Sequence, residues 1–243
     1  MKRLLSRIRR CVDDYSMISP GDKIAVGVSA GKDSLSLLWS LAQLRRFYPI
    51  PFELKAITLD MDGGDTDFSP VSAFCDSLDV EHIVVPTNIK AIVFDVRNET
   101  NPCSLCAKMR RGGVNNAAIA NGCHKIALGH HYDDAVETFM MSLLFEGRIA
   151  CFQPVTYLDR KDVTVIRPML YVEEAQIRNA AEKLSLPILE STCPINGKTK
   201  RQEVKLLLEE LSERYPNIKS KVFGAMSRFP LKGWEEHKKQ PLD

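Results

Sequence analysis

Short apolar runs alternate with amphipathic stretches through the first two-thirds of this 243-residue chain. Four of these runs have the length and residue types of buried strands, and they cover Lys23–Val28, Leu54–Leu59, His82–Pro86 and Lys125–Gly129. Apolar residues at helical spacing lie between and after them, at about 34–47, 69–78, 104–121 and 133–146. Because strand–helix alternation is typical of βαβ units, we expect an α/β fold with a doubly wound parallel sheet covered on both faces.

The last third of the chain has a mostly helical pattern. The less regular piece 147–170 contains one short apolar run, Val163–Ile166, which predicts a further strand. Helical patterns follow at about 173–184, 201–214 and 216–227. The sequence therefore predicts a basic N-terminal helix within 1–20, an α/β domain over 21–170 and a helical C-terminal extension over 171–243.

Composition and the lack of long apolar segments favour a cytoplasmic protein. Hydrophobic residues make up 44% of the chain, which is enough for one sizeable core. No apolar run approaches the roughly 18 residues that span a bilayer. The N-terminus MKRLLSRIRR is positively charged, but the apolar stretch of a secretory signal does not follow it. We expect no membrane contact.

The net charge of +2 is spread unevenly along the chain. Lys and Arg stand without acidic residues over 1–12, and they outnumber Glu over 198–239. Two basic ends around an acidic middle suggest that the basic residues at the periphery bind a polyanion. Solvated helix faces give the same pattern, and for charge runs alone that explanation is the more common one.

A turn of small residues links the first predicted strand to the first amphipathic helix. It consists of Ser29, Ala30, Gly31, Lys32, Asp33 and Ser34. Backbone N–H groups in such a turn can approach an anion closely, and the helix N-terminus adds positive potential. Tight packing alone would also favour small residues here, but it does not require the Lys-Asp-Ser that follows them.

The spacing of this turn differs from that of a Walker loop. SAGKDS instead resembles the SGGKDS loop of the N-type ATP pyrophosphatases, or PP-loop superfamily, whose members cleave ATP between the α- and β-phosphates and leave AMP on a substrate carbonyl. The resemblance implies a Rossmann-like sheet, ATP bound by the six loop residues, and an adenine flanked by Leu59, Asp60 and Met61. Ala30 replaces the usual glycine, and we expect its methyl group to be tolerated at negative φ.

An acidic helix start follows the fourth predicted strand, in LGHHYDDAVET. Asp133 and Asp134 would stabilise a first helical turn by about 0.3–1 kcal/mol each through the helix dipole. They can also supply the carboxylates that Mg²⁺ prefers beside phosphate oxygens. His130 and His131 suggest zinc as a weaker alternative, since no third ligand lies at helical spacing. The segment resembles the second signature of the same superfamily, which implies ATP contacts at Gly129, His130 and Asp134.

Three of the seven cysteines stand out as candidate ligands. Cys103 and Cys106 form a CxxC pair, which is compatible with a redox pair, half a zinc site or part of an iron–sulfur site. Cys193, followed by proline, is the third candidate. A reducing compartment disfavours structural disulfides. The remaining thiols are expected to be small buried hydrophobes at Cys75, Cys123 and Cys151, with Cys11 ambiguous.

CSLCAKMRRG, IRPMLYVEEAQI and TKRQEVKLLLEELSERYPNI, together with the ATP motifs, resemble the tRNA 2-thiocytidine synthetase family, TtcA. The resemblance covers about residues 20–228. It implies a [4Fe-4S] cluster held by Cys103, Cys106 and Cys193, with one iron free to bind sulfide. It also implies that MgATP adenylates a cytosine C2 oxygen in a tRNA anticodon loop and that sulfur replaces this oxygen.

The residues and the resemblance together predict roles and partners. Lys32, Asp133, Cys103 and Cys106 would be catalytic. The RNA would contact Arg110, Arg111, Lys198, Lys200 and Arg201. Arg110 and Arg111 could instead steady the charge of the cluster. The expected partners are tRNA and a sulfur donor such as a cysteine desulfurase or sulfide, and a homodimer is compatible with the sequence.

Two other functions remain open from the residues themselves. The same ATP chemistry could serve a different nucleophile, such as an amine, or a persulfide carried by Cys103 or Cys106, with the cysteines redox-active or bound to zinc. Alternatively, the chain could be a nucleotide- or RNA-binding module that holds ATP without turnover. Metal content and pyrophosphate release distinguish these alternatives.

Overall fold

The computed structural model describes residues 1–97, 102–190, 193 and 199–228. The described strands are β1 (Lys23–Gly27), β2 (Glu53–Asp60), β3 (Glu81–Pro86), β4 (Lys125–Ala127), β5 (Val155–Leu158) and β6 (Val163–Ile166). They form a six-stranded sheet in the order β3-β2-β1-β4-β6-β5. All neighbouring strands pair in parallel except β5, which pairs antiparallel with β6. The predicted α/β fold is confirmed.

Helices cover both faces of the sheet. They are needed on both because successive side chains of a central strand point to opposite faces, and both sets of side chains are buried. Ile24 and Val26 of β1 belong to a buried core that also contains Leu35, from the first helix after that strand. Ala25, which points to the opposite face, lies in a second core with Ala118. The residues of one strand therefore contribute to two cores, so the buried part of this central strand, Ile24–Val26, is continuously apolar rather than alternating.

The helices lie close to their predicted positions. They are α1 (Lys2–Asp14), α2 (Lys32–Arg45), α3 (Ser69–Ser77), the short α4 (Ile89–Ala91), α5 (Pro102–Ala120), α6 (Tyr132–Glu146), α7 (Glu174–Lys183), α8 (Lys200–Arg214) and α9 (Ile218–Arg228). Leu4 of α1 and Met226 of α9 are buried in the same core cluster. The helices α1 and α9 thus pack on one face of the sheet.

The edge of the sheet beyond β6 differs from the purely parallel sheet that the sequence predicted. Val155–Leu158 forms an antiparallel hairpin with β6 through a 3₁₀ turn at Asp159–Lys161. No residue of β5 is fully buried, so its sequence lacks the continuous apolar run that marks the central strands. The pattern also did not predict α4 or the π-helical turn Ile92–Val96 that follows it.

The order of the strands places a crevice at the carboxyl end of β1. The next strand in the chain, β2, pairs with one side of β1, whereas β4 pairs with the other side. In open α/β sheets, ligands bind where the strand order reverses in this way. The two sequence motifs follow β1 and β4, so both emerge at this crevice. Among the described residues, no helix is long and apolar enough to cross a membrane.

Candidate nucleotide and thiol site

The turn after β1 is closed by hydrogen bonds among its own residues. The backbone N–H of Ser29 donates to Oγ of Ser34 at 3.1 Å, and that hydroxyl donates to the carbonyl oxygen of Gly31 at 3.0 Å. Gly31 is the extended N-cap residue of α2. The loop is therefore shaped before any ligand binds, with the N-terminus of α2 directed at the enclosed space.

Ala30 adopts a left-handed backbone conformation, with φ of 58°. The expectation of a negative φ at this position was wrong. The turn needs a residue in the left-handed region, which explains why glycine is usual there, and the methyl group of alanine adds a steric cost of about 1–2 kcal/mol. Ala30 is also buried, and its carbonyl oxygen accepts a hydrogen bond from the backbone of Leu189 at 3.1 Å.

Gly129 allows the two motifs to touch. A Cβ atom on this residue would lie 3.1 Å from the carbonyl carbon of Asp33 and 3.2 Å from the backbone nitrogen of Ser34. These neighbours are backbone atoms at the start of α2, so they cannot move aside as a flexible side chain can. The loop after β4 and the phosphate loop are thus packed at the closest approach that a glycine permits.

The start of α6 is held by a reciprocal cap. Nδ1 of His131 accepts from the backbone N–H of Asp134 at 3.4 Å, and the carboxylate of Asp134 accepts from the backbone N–H of His131 at 3.0 Å. His131 is buried in this role. Within the described ranges, no group of three His, Cys, Asp or Glu side chains converges as an ion site, so the zinc alternative gains no support.

Asp133, predicted as a catalytic residue and magnesium ligand, binds other parts of the protein through both carboxylate oxygens. One oxygen accepts from the backbone N–H of Glu174 at 2.8 Å, and the other accepts from Nζ of Lys219 at 2.9 Å. The side chain therefore joins the starts of α6 and α7 to α9. Magnesium binding by Asp133 would have to compete with both contacts.

Lys32 of the phosphate loop contacts two carboxylates. Its Nζ lies 3.0 Å from Asp33 and 3.2 Å from Glu174. Burial lowers the pKa of Lys32, but these two carboxylates outweigh burial and raise it above the ordinary value. Glu174 also binds Lys205 of α8 at 2.7 Å. Burial raises the pKa of Glu174, whereas the contacts with Lys205 and Lys32 bring it down to about 2.

Glu174 is a site residue that sequence reasoning did not identify. It lies in the VEEAQI segment, which was noted only as part of a resemblance. A carboxylate at the N-terminus of a helix is ordinarily a cap. Only the packing of α7 against α2 shows that this carboxylate reaches the phosphate-loop lysine.

The predicted RNA contacts lie in different settings. Arg110 and Arg111 are exposed on α5. Arg201 binds α6, with its guanidinium 3.0 Å from Glu137 and 3.5 Å from Asp134. The ammonium group of Lys200 lies 4.3 Å from the ring centre of Phe145. Lys198 lies outside the described residues. In this structure Arg201 therefore neutralises acidic side chains beside the nucleotide crevice.

The three residues predicted to flank the adenine stand at the end of β2 and just after it. Leu59 is half-buried, and a Cβ atom on Gly113 of α5 would lie 2.8 Å from its Cδ1 atom. Asp60 is buried and accepts a hydrogen bond from the backbone of Asp62 at 2.9 Å. The helix that carries the CxxC pair thus rests directly on the strand end predicted to hold the adenine, with Met61 beside it.

His130, predicted to contact ATP, is largely enclosed by protein. Its ring lies 4.9 Å from the ring of Phe152, and its Nδ1 atom has no hydrogen-bond partner among the described residues. Burial, reinforced by the charge of Arg167, lowers the pKa of His130 to about 4. The imidazole is therefore neutral at physiological pH.

The three candidate cysteines lie in one neighbourhood. Cys103 and Cys193 are exposed, and Cys106 is half-buried. Burial raises the pKa of Cys106 and the charge of Arg110 lowers it, whereas thiolates at Cys193 and Cys103 raise it again. Cys193 therefore lies within electrostatic reach of Cys106, although 87 positions separate them in the chain.

These thiols suit a cluster better than a single ion. The described side chains hold no three-residue ion site, but a [4Fe-4S] cluster takes its ligands on different corners and spaces the sulfurs more widely. Two of the three thiols are open to solvent, and the CxxC pair lies in the first two turns of α5, where the helix dipole favours negative charge. The donor chemistry and the neighbourhood therefore fit a cluster with three protein ligands.

The other four cysteines are separate from this neighbourhood. Cys11, Cys75 and Cys123 are buried, and Cys151 is half-buried, with its thiol 3.4 Å from the carbonyl oxygen of Ala135. Burial raises the pKa of all four, to about 12 for Cys75 and Cys151. They are neutral thiols at physiological pH, as expected for small buried hydrophobes.

Comparison with known proteins agrees with this geometry. A family model described as a PP-loop domain matches residues 2–204. The chain is 37% identical over 229 residues to the tRNA-cytidine(32) 2-sulfurtransferase of Pelobacter propionicus, covering 93% of this chain and 85% of the relative. It is 36% identical over 229 residues to the enzyme of the same name from Geobacter metallireducens, covering 93% and 89%.

A solved structure has the same fold over most of the chain. The U34-tRNA thiolase NcsA from Methanococcus maripaludis with its [4Fe-4S] cluster superposes with a TM-score of 0.75 at 26% identity. The match covers 94% of this chain and 78% of the thiolase. With a matching family model and relatives above one-third identity over nearly its whole length, the chain belongs to the PP-loop family and, within it, to the tRNA-cytidine(32) 2-sulfurtransferases.

Proposed function

We propose that this protein is an ATP-dependent tRNA sulfurtransferase, which replaces the C2 oxygen of a cytidine in the anticodon loop with sulfur. The carrying observation is the neighbourhood of Cys103, Cys106 and Cys193. The helix α5, which carries the first two of these cysteines, rests against the nucleotide crevice through Gly113 and Leu59. A nucleotide loop alone would support only ATP cleavage. Three thiols beside it supply a place for sulfur, and sulfur transfer to tRNA is what the names of the relatives state.

ATP binds first, with its phosphates on the loop Ser29–Ser34. The backbone N–H groups at the start of α2 and the hydroxyls of the loop donate to phosphate oxygens. Lys32 neutralises phosphate charge, for which it must exchange at least one of its present contacts with Asp33 and Glu174. The lysine is thus held near its place of action before the nucleotide arrives.

Mg²⁺ would accompany the nucleotide and would supply positive charge beside its phosphates. Of the two carboxylates predicted to bind it, Asp134 is the better candidate. One of its oxygens caps α6 and the other has only a 3.5 Å contact with Arg201, whereas both oxygens of Asp133 hold short hydrogen bonds. We assign Asp133 to fixing the position of α7, and through it Glu174.

The reaction consists of two chemical substitution steps, in each of which one bond forms and another breaks. In the first, the C2 oxygen of the pyrimidine attacks the α-phosphorus of ATP and pyrophosphate leaves. In the second, a hydrosulfide sulfur adds to C2, the C2–O bond breaks, AMP leaves with the oxygen, and a proton is released. Adenylation is required because a carbonyl oxygen is a poor leaving group and AMP is a good one.

The residues of this chain bind, orient and desolvate the reactants. Cys103, Cys106 and Cys193 would hold a [4Fe-4S] cluster, which would supply iron able to bind the sulfur that is transferred. Burial holds the pKa of Cys106 above its ordinary value, and the charge of Arg110 opposes that rise and so helps the thiolate to form. The target base must be turned out of its stack to reach the crevice, which is easiest in a single-stranded loop.

The location and the partners of the protein follow from this reaction. The protein acts in the cytoplasm on tRNA, and it receives sulfur from sulfide or from a cysteine desulfurase. The exposed Arg110 and Arg111 beside the CxxC pair are placed to meet RNA phosphates. A homodimer stays a prediction.

The proposed activity is tested by reconstituting the whole reaction and identifying its modified nucleoside. Protein purified without oxygen is incubated with unmodified tRNA, ATP, Mg²⁺ and sulfide, and the digested nucleosides are analysed by mass spectrometry. The expected product is 2-thiocytidine with one AMP and one pyrophosphate per sulfur, and about four irons per chain. Lys32→Met should abolish product, whereas Lys221→Met, which removes an exposed lysine of α9, should leave it unchanged.

The other outcomes identify the alternatives. Pyrophosphate release without sulfur incorporation, with zinc or no metal bound, would indicate a different nucleophile or a persulfide enzyme. ATP binding without pyrophosphate release on any tRNA would indicate a binding module. Either result would reject the sulfurtransferase.

A further inference from the structure

Arg167 is a largely buried cation with no carboxylate partner among the described residues. Its Nη1 donates to the carbonyl oxygen of Gln153 at 2.5 Å and to the hydroxyl of Thr156 at 3.2 Å. Its Nε is buried without a hydrogen-bond partner in the described chain. A buried charge normally pairs with an opposite charge, because desolvation of an unpaired ion costs several kcal/mol. The guanidinium therefore lacks its counter-charge.

Within the described part of the chain, the side chains around Arg167 provide no full negative charge. Its Cζ lies 5.0 Å from the ring centre of Phe152, and the ring of His130 lies against the same phenyl ring at 4.9 Å. Burial lowers the pKa of Arg167 to about 10, the thiol of Cys151 opposes this, and the charge of Arg111 lowers it further. The neighbours that act on the guanidinium are thus a neutral thiol and a second arginine, and none is a carboxylate.

Arg167 emerges at the edge of the sheet that carries the nucleotide motifs. Ile166, the last residue of β6, pairs with Ala127 of β4 in parallel register. The backbone N–H of Leu128 donates to the carbonyl oxygen of Ile166 at 3.0 Å. Arg167 therefore stands directly beside the loop that begins at Gly129, and it retains partial access to solvent.

We propose that Arg167 is a phosphate-binding residue of the substrate crevice, with its unpaired N–H groups directed at a phosphate oxygen. Guanidinium and phosphate match in charge and in hydrogen-bond geometry. The phosphate comes from one of two sources, the bound nucleotide or the RNA backbone at the target cytidine. The RNA source rests on the proposed function, whereas the nucleotide source requires only the PP-loop.

The stability of the protein distinguishes this role from a structural one. If Arg167 serves only to clamp Gln153 and Thr156, its removal leaves two acceptors unsatisfied and lowers the melting temperature. If it serves a ligand, Arg167→Met also removes an uncompensated buried charge, the gain from which offsets the two lost hydrogen bonds, and the melting temperature stays the same or rises. Arg160→Met is the matched control, because Arg160 is exposed at the hairpin turn, at the other edge of the sheet.

The experiment measures two affinities on the full chain. Arg167→Met, Arg167→Lys and Arg160→Met are compared with the unmodified protein for binding of an ATP analogue with a methylene bridge between the α- and β-phosphates, and separately for tRNA. We expect Arg167→Met to weaken one affinity at least tenfold, Arg167→Lys to restore part of the loss by its charge, and Arg160→Met to change each less than twofold. Loss for the analogue alone identifies a nucleotide phosphate, and loss for tRNA alone identifies an RNA phosphate.

Two results would overturn the proposal. One is that Arg167→Met leaves both affinities within twofold of the unmodified protein. The other is that both affinities fall together with a melting temperature several degrees lower, which assigns the residue to folding. Neither measurement requires turnover, so a protein that binds as expected but forms no thiolated product would disprove the sulfurtransferase and keep the phosphate site.

Discussion

The phosphate loop and the cysteine neighbourhood lie side by side but are built in opposite ways. The loop comes from six consecutive residues, and Ser29, Gly31 and Ser34 hold its shape by hydrogen bonds to one another. The cysteines come from α5 and from a distant segment, and two of the three are exposed. The loop is thus formed before its ligand arrives. The thiols are only brought near each other, and a ligand must define their final arrangement.

The difference reflects what each ligand demands. Phosphates are bound by backbone N–H groups and a helix N-terminus, which a strand–turn–helix segment supplies locally. An iron–sulfur cluster needs thiolates on several of its corners, which one short helix cannot supply. Contact between Gly113 and Leu59 joins the two regions. Each prediction below changes one region and examines whether the other responds.

The largest effect is expected from the distant cysteine. Cys193→Ala should lower the thiolation rate by at least 100-fold, because it removes one of three ligands, while affinity for ATP stays within twofold. Cys123→Ala, which changes a buried thiol outside the neighbourhood, should retain thiolation. Mass spectrometry of tRNA nucleosides and calorimetric titration with ATP provide the two readouts. Retained thiolation in Cys193→Ala would show that the two regions are not partners in one reaction.

The contact between the two nucleotide motifs should be the next most sensitive position. Gly129→Ala places a methyl group against backbone atoms of Asp33 and Ser34, and overpacking of this kind costs about 1–3 kcal/mol. ATP affinity should fall about tenfold or more, as measured by titration. Gly112→Ala, whose added Cβ meets no atom within 4 Å, should bind ATP normally. Equal affinities in the two variants would disprove the close packing of the motifs.

The Glu174 contacts predict a pH dependence. The folded-state pKa of Glu174 is about 2, below the ordinary value of 4.5, so its stabilising contribution is complete above pH 4.5. That contribution is lost as the pH falls from 4.5 towards 2. Melting temperatures recorded from pH 6 to pH 3 should therefore decline less steeply for Glu174→Gln than for the unmodified protein. Parallel curves would mean that the contacts with Lys32 and Lys205 carry no net stability.

The smallest effect is expected from the strained alanine. Ala30→Gly removes a methyl group from a residue at φ of 58° and should stabilise the protein by about 1 kcal/mol. For a chain of this size, that corresponds to a rise of about 2–4 °C in melting temperature by calorimetry. Since the hydrogen bonds of the loop do not involve the methyl group, ATP affinity should be retained. A lower melting temperature would show that burial of the methyl group outweighs the backbone strain.

The sequence predicted the local structure of the nucleotide region well. The apolar runs located β1, β2, β3, β4 and β6, and SAGKDS and HHYDD were placed at the turns and helix starts that meet at one edge. These features depend on short stretches of chain, whose periodicity and turn residues carry the information. The half-exposed β5 has no such pattern, and the left-handed φ of Ala30 depends on how the loop packs.

The sequence by itself determined which chemical groups are available: a phosphate loop, an acidic helix start, and three candidate cysteine ligands. Only the tertiary structure decided which of them meet. It paired Asp133 with Lys219, Arg201 with Glu137, and Glu174 with Lys32, and it left Arg167 without a carboxylate among the described residues. Ion pairs between helices far apart in the chain form because the apolar faces of those helices pack together. The sequence around each charged residue therefore does not reveal which partner it will meet.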